Sequence, residues 1–80
     1  MYLKDDVNIS DFLASVIKCQ EAVFFYSQNG DTLNLNSILS QYFFMTLVAE
    51  SDTWKKGRIH CQLDEDYELL KEYLYKNDSV

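Results

Sequence analysis

The sequence predicts a small α+β domain in which three helices cover one face of a small antiparallel sheet. Apolar residues recur with helical spacing in three segments, and inward and outward positions alternate in the segments between them. The dipeptide Asn29-Gly30 separates two of the alternating segments and is a strong hairpin signal. Because the chain has 80 residues, we expect one domain over residues 1–80.

Composition limits the kinds of partner. The net charge of −6 argues against nucleic acid and anionic membrane, since both select a basic patch. No apolar run is long enough to span a bilayer and no basic-then-apolar leader opens the chain, so we expect a soluble, cytoplasmic protein. Cys19 and Cys61 are expected to be free thiols rather than a bridge. With one histidine and no close cysteine pair, neither a metal site nor a cofactor is expected.

The chain is predicted to start with a first strand that is short or absent, followed by a helix. Tyr2 and Leu3 can begin an edge strand, which the acidic pair at residues 5–6 stops. The helix is predicted to run to about Gln20 from a cap at Asn8, Ser10 or Asp11. Its apolar face consists of Phe12, Leu13, Val16 and Ile17.

Two strands are predicted to flank the hairpin signal, over residues 22–27 and 32–35. Strict alternation directs Val23 and Phe25 towards the core and Phe24 and Tyr26 away from it. The outward pair is therefore expected on the side of the sheet that the helices leave open.

The second helix is predicted from Ser37 to Leu47 or Val48. Ser37 is placed as its N-cap, with a hydroxyl that can accept from a main-chain amide two or three residues on. The apolar residues that follow at helical spacing are expected to form the face that packs on the sheet. They are Ile38, Leu39, Tyr42, Phe43 and Met45.

A loop ending at Gly57 leads to a predicted strand over residues 58–63, with Ile59 and Cys61 inward. The run Asp64-Glu65-Asp66 is predicted to open the third helix, where carboxylates stabilise the positive end of the dipole. Three acids in this position favour that role over a metal site. The buried face of this helix is predicted to be Tyr67, Leu70, Tyr73 and Leu74.

Several short runs occur in a recognisable order. They are Val16-Ile17-Lys18-Cys19, Val23-Phe24-Phe25-Tyr26 followed by Asn29-Gly30, Leu33-Asn34-Leu35-Asn36-Ser37-Ile38-Leu39, and Gly57-Arg58-Ile59-His60-Cys61 followed by Asp64-Glu65-Asp66. Together they resemble the HPr family, the histidine-containing phosphocarrier proteins of the bacterial sugar phosphotransferase system. The resemblance implies an open-faced β-sandwich of order βαββαβα with a four-stranded antiparallel sheet.

The residue that carries the family's chemistry is missing. In the family, a histidine in a G-L-H-A-R-P run before the first helix accepts a phosphoryl group, stabilised by the helix N-terminus and an arginine. The matching positions fall near Asp5 and Val7, and no His, Arg or Pro precedes the first helix. We therefore expect an HPr-like protein that is not an enzyme or phosphocarrier and acts as a regulatory or protein-binding module.

The resemblance also implies two kinds of site at the second helix. Ser37 occupies the place of the serine that a kinase modifies in the gram-positive branch, and its capping role is favoured over phosphorylation. Ile38, Leu39 and Tyr42 lie in the region where partner proteins dock in the family. For Leu39 and Tyr42, burial in the core is the favoured alternative.

A different function follows from the open side of the sheet. Phe24 and Tyr26, with Tyr2 and His60, can form an exposed aromatic patch, unless the loop that carries Trp54 covers it. The alternative function is then a small structural protein that forms a homodimer through Phe24 and Tyr26. No nucleophile–base pair or phosphate loop supports catalysis, and His60 is expected to be solvated.

Overall fold

The computed structural model describes residues 1–76, whose elements alternate between short strands and helices. Three helices and five antiparallel strands are present in this part of the chain, so the predicted α+β class is confirmed. The helices are α1 (Ile9–Ile17), α2 (Ile38–Glu50) and α3 (Tyr67–Leu70), and the strands are β1 (Tyr2–Leu3), β2 (Val23–Tyr26), β3 (Thr32–Asn34), β4 (Arg58–Cys61) and β5 (Leu74–Tyr75). Turns of 3₁₀ helix at Thr53–Lys56 and Asp64–Asp66 precede β4 and α3.

The main sheet has three strands, with β2 between β3 and β4. Phe25 lies at its centre, opposite Leu33 of β3 and Ile59 of β4. β1 and β5 form a separate antiparallel pair. The amide of Ile59 donates to the carbonyl of Met1 at 2.8 Å, which places β1 against β4. The first strand is thus formed and is two residues long.

The helix α1 is shorter than its apolar pattern predicts. Asn8 is its N-cap, because the side-chain oxygen accepts from the amide of Asp11 at 3.1 Å. At the other end, the amide of Lys18 donates to the carbonyl of Ser15, three residues back, which tightens the last turn. Ile17, the last residue of α1, lies 60% exposed and not in the predicted buried face.

The hairpin between β2 and β3 is confirmed, with a three-residue loop. The amide of Ser27 donates to the carbonyl of Asp31 at 2.8 Å, and the amide of Asp31 donates to the Ser27 hydroxyl at 2.9 Å. Gly30 has a φ of 92°, whereas no non-glycine residue of the described chain has a positive φ. Asn29 therefore does not take the left-handed conformation, and Gly30 alone supplies it.

The core lies between the inner face of the main sheet and the helices. Alternation along β2 and β4 is confirmed, since Val23, Phe25, Ile59 and Cys61 are buried and their neighbours are not. From the helical side, Phe44 packs with its ring centroid 5.0 Å from that of Phe25. The other buried apolar residues are Leu3, Phe12, Leu13, Val16, Leu35, Trp54, Leu70 and Leu74.

The end of the described chain differs from the prediction of a long third helix. α3 is a single turn, after which the amide of Tyr73 donates to the carbonyl of Leu70 at 2.9 Å. The chain then extends, and Leu74 pairs with Leu3 of β1. Both leucines are buried by this pairing. Burial of Leu74 on a strand satisfies the same apolar pattern that predicts a helix.

Gly57 lies where a larger residue has no room. A Cβ at this position would overlap the ring of Phe25 and lie 2.9 Å from the carbonyl oxygen of Tyr26. We expect Gly57→Ala to lower the free energy of unfolding by about 1–3 kcal/mol, because overpacking displaces a buried ring. Urea denaturation measures this change.

Phe25→Leu provides the control, because it removes the ring that the new methyl group would meet. In a double-mutant cycle, we expect Gly57→Ala to cost less in the Phe25→Leu background than in the native chain. Strict additivity of the two substitutions would contradict the overlap.

Candidate protein-binding surface

The helix α2 is held to the rest of the protein by one narrow face. Phe44 is its only fully buried side chain, with Leu47 and Val48 half-buried beside it. On the same face, the side-chain amide of Gln41 donates to the carbonyl of Leu35 at 2.8 Å. These contacts account for one side of the helix.

The opposite side of α2 carries large apolar side chains in solvent. Since successive helical residues are about 100° apart, these positions fall on one continuous arc. We call them the outer face of α2: Ile38 is 76% exposed, Leu39 65%, Tyr42 72%, Phe43 59% and Met45 48%.

The sequence prediction that this set packs on the sheet is wrong, and so is the preference for Leu39 and Tyr42 as core. The physical reason is that α2 is apolar nearly all round, so periodicity alone cannot say which side faces inward. The candidate binding residues Ile38, Leu39 and Tyr42 therefore lie together on the surface.

The outer face is also uncharged. No acidic or basic residue occurs between Asp31 and Glu50, although the chain as a whole has a net charge of −6. A solvated helix face usually carries charged residues. A contiguous apolar patch of this kind is typical of an interaction site.

Two polar side chains fix the start of α2 in place. The side-chain oxygen of Asn36 accepts from the amide of Val23 at 2.7 Å, and its NH₂ group donates to the carbonyl of Val16 at 3.3 Å. The side-chain NH₂ group of Gln41 adds a longer hydrogen bond, of 3.5 Å, to the carbonyl of Leu13. Sequence reasoning missed both residues; their only signal is an uncharged polar group within an apolar run. They join α2 to the end of α1 and the start of β2.

Ser37 is the N-cap of α2, as predicted, but its hydroxyl makes no capping bond. The residue has extended backbone angles, and its carbonyl accepts from the amide of Gln41 at 3.0 Å. The side chain is exposed. The predicted hydrogen bond from the first turn is therefore absent.

The open side of the sheet holds a smaller aromatic cluster. The rings of Phe24 and Tyr26 stack with centroids 6.2 Å apart, and His60 lies 6.2 Å from Tyr26. Both aromatic side chains are half-buried. Tyr2 stacks instead on Tyr75, at 5.8 Å. The structure thus brings three of the four predicted members together.

His60 lies on the exposed side of β4 next to a tyrosine. The hydroxyl of Tyr67 accepts from the amide of Cys61 at 3.0 Å and lies 3.4 Å from Nδ1 of His60. The hydroxyl proton of Tyr67 is therefore available to donate to Nδ1 of His60. Among residues 1–76, no three His, Cys, Asp or Glu side chains form a group that could hold a metal ion.

The acidic run before α3 has a structural role that the sequence did not indicate. Asp66 is 1% exposed, and its carboxylate oxygens accept from the amides of Gln20 and Glu21, each at 3.0 Å. Asp66 lies at the start of α3, as predicted, and its carboxylate in addition binds these two amides. Asp64 and Glu65 are exposed.

Both cysteines are free, as expected. Burial raises the pKa of the Cys61 thiol to about 12, with smaller contributions from neighbouring acidic groups. Burial, together with the nearby Asp66 carboxylate, also raises the pKa of Cys19. Few thiolates are therefore present near neutral pH, and the thiolate is the reactive form.

We expect a thiol reagent to modify the half-buried Cys19 first and to leave Cys61 unmodified in the folded protein. Both should react rapidly once the chain is unfolded in denaturant. Time-resolved absorbance with a chromogenic disulfide measures the two rates. Rapid modification of a folded Cys19→Ser variant would contradict the burial of Cys61.

No helix within residues 1–76 is both long enough and apolar enough to cross a bilayer. No protein-family model, curated protein or solved structure matches this chain.

Proposed function

We propose that this chain is an HPr-like protein-binding module without phosphocarrier activity, and that the outer face of α2 is its binding surface. The observation that carries the proposal is the exposure of five large apolar side chains on one uncharged helix face. Burying one such side chain completely is worth about 1.5–3 kcal/mol. A partner that covers the face removes this apolar surface from water.

Hydrogen bonds to the rest of the protein also hold this surface in a fixed position. Asn36 and Gln41 bond α2 to main-chain groups of other elements, so the face is presented on a fixed support. A fixed surface loses less conformational entropy when it binds than a mobile one.

A photo-crosslinking amino acid in place of Tyr42 tests the surface. We expect a covalent adduct, with this chain or with another protein, after irradiation of the native host. The same amino acid in place of Leu69, an exposed apolar residue of α3, is the control and should give none. Equal yields at the two positions would argue against a binding surface on α2.

The absence of phosphoryl transfer is the second part of the proposal. It is supported by the lack of any histidine before α1, where the HPr resemblance requires one. Incubation with enzyme I of the phosphotransferase system and phosphoenolpyruvate should leave the mass of the chain unchanged. Stoichiometric labelling of His60, the only histidine, would overturn this part.

Phosphorylation of Ser37 stays a prediction of the same resemblance. The hydroxyl is exposed and makes no capping bond, and a phosphate would add about −2 charge at the edge of the outer face. Mass spectrometry of the protein from its native host is the test. Unmodified Ser37 under every growth condition would remove the idea.

A second candidate function uses the open side of the sheet, where Phe24 and Tyr26 stack. Under this alternative the chain is a structural protein that dimerises through these two rings. The double variant Phe24→Ser, Tyr26→Ser should then be monomeric in sedimentation. The α2 surface is favoured because its side chains are the more exposed.

A further inference from the structure

We infer that the outer face of α2 binds a second copy of this chain, with the two α2 helices packed antiparallel across a two-fold axis near Tyr42. The inference rests on the proposed function, since it names the partner of the same surface. In a two-fold symmetric dimer, the same apolar patch on each copy covers that of the other.

Charge is the first argument for a second copy. A basic partner would be selected by several acidic residues in the surface, but the five outer-face residues are uncharged and α2 carries one acidic residue, Glu50, at its far end. An anionic membrane is repelled by the net charge of −6. The best complement to an uncharged apolar face is another uncharged apolar face, and a second copy of this chain supplies one.

The antiparallel orientation follows from the ends of the helix. Glu50, the last residue of α2, lies beyond the five outer-face residues and, at about 100° per residue, points to the same side of the helix. In an antiparallel pair it approaches the first turn of the other α2, where the Ser37 hydroxyl makes no capping bond. A carboxylate near a helix N-terminus is stabilising, whereas a parallel pair would bring the two Glu50 carboxylates together.

The available area suits a dimer of ordinary size. From their exposed fractions, the five outer-face side chains offer on the order of 600 Å² per copy. Pairing two copies would bury at most about 1,200 Å² from these side chains, the lower end of the range for specific interfaces. Ile17, at the end of α1, is a further exposed apolar residue, and it follows Val16, whose carbonyl accepts from the Asn36 side chain.

Sedimentation equilibrium of the full chain tests the inference. We expect the average mass to rise from 9.4 kDa towards twice that value between micromolar and millimolar concentration. Leu39→Glu should weaken the dimer at least tenfold, roughly what one buried anchor contributes. Because a glutamate in the first helical turn stabilises the helix, this variant keeps its fold.

Leu69→Glu is the matched control, because it adds the same charge at an exposed leucine outside the surface. It should dimerise like the native chain. Equal weakening by both substitutions would overturn the inference, as would native dimerisation of Leu39→Glu. If Phe24→Ser abolished the dimer while Leu39→Glu did not, the interface would instead lie on the open side of the sheet.

Salt gives an independent readout. Two chains that each carry −6 repel at low ionic strength, so added salt should tighten an association through an uncharged face. Salt that weakens the dimer would show an interface held by ion pairs and would overturn the inference.

Engineered cysteines test the orientation. In a Cys19→Ser background, Tyr42→Cys should form a disulfide-linked dimer on mild oxidation, since residues near the axis approach each other. Ile38→Cys, about one helical turn away, should link more slowly. Equal rates would indicate parallel helices and overturn the antiparallel arrangement.

The failure of this inference is distinguishable from the failure of the proposed function. A chain that stays monomeric at millimolar concentration overturns the dimer. If the photo-crosslinker at position 42 still yields an adduct with another protein, the binding surface stands and only its partner changes. If neither experiment gives an adduct or a dimer, both proposals fall.

Discussion

Replacing Phe44 with alanine should lower the free energy of unfolding by about 3–5 kcal/mol, the largest effect we expect from one substitution. Phe44 is the only side chain of α2 that is fully buried. Its ring contacts those of Phe25 and Phe12, with centroid distances of 5.0 and 6.5 Å. Because folded domains of this size are stable by only roughly 4–12 kcal/mol, this substitution should remove a large fraction of the stability of the protein.

Phe43→Ala is the matched control, since it removes the same ring from the next residue of the helix. Phe43 is 59% exposed, so we expect a change below about 1 kcal/mol. Both variants should be measured by urea denaturation at low protein concentration, where self-association does not add to stability. A larger loss for Phe43→Ala than for Phe44→Ala would mean that α2 packs through the opposite face, and equal losses would contradict the difference in burial.

The difference between these neighbouring phenylalanines shows where sequence reasoning ends. In β2 and β4, buried residues alternate with more exposed ones. Period-two alternation therefore correctly identifies Val23 and Phe25 as buried and Phe24 and Tyr26 as outward. In α2, apolar residues occupy both sides, and the pattern fits a helix packed by either one. The three-dimensional arrangement decides in favour of Phe44.

The third helix is present but shorter than predicted, for a related reason. Leu70 and Leu74 are four residues apart, which fits a buried helical face, and both are in fact buried. Leu74 reaches the core from β5, through its pairing with Leu3 at the far end of the chain. A pairing across so long a stretch of sequence leaves no local signal, so the sequence predicts a helix that continues through Leu74, where the structure has a strand.

For the candidate site, the sequence identified the residues but not whether they are buried or exposed. Ile38, Leu39 and Tyr42 were singled out as partner-binding or core, and only the structure places them in solvent. Because these three side chains are exposed, covering them with a partner would remove apolar surface from water, which supports the binding role that the HPr resemblance implies.

The buried carboxylate of Asp66 should produce the second large effect. Its two oxygens accept from the amides of Gln20 and Glu21, which lie between α1 and β2. We expect Asp66→Ala to lower the free energy of unfolding by about 3 kcal/mol, because both amides lose a charged acceptor. Asp66→Asn should cost about half as much, since one of its side-chain atoms still accepts and the other cannot. Urea denaturation gives both values.

Asp64→Asn is the control for charge, because Asp64 is exposed in the same 3₁₀ turn. It removes one negative charge from a chain of net charge −6 and should change stability by less than about 0.5 kcal/mol. Hydrogen exchange then locates the effect. In Asp66→Ala, the amides of Gln20 and Glu21 should exchange faster relative to global unfolding than in the native chain. Unchanged protection of these amides would show that the carboxylate does not hold this loop.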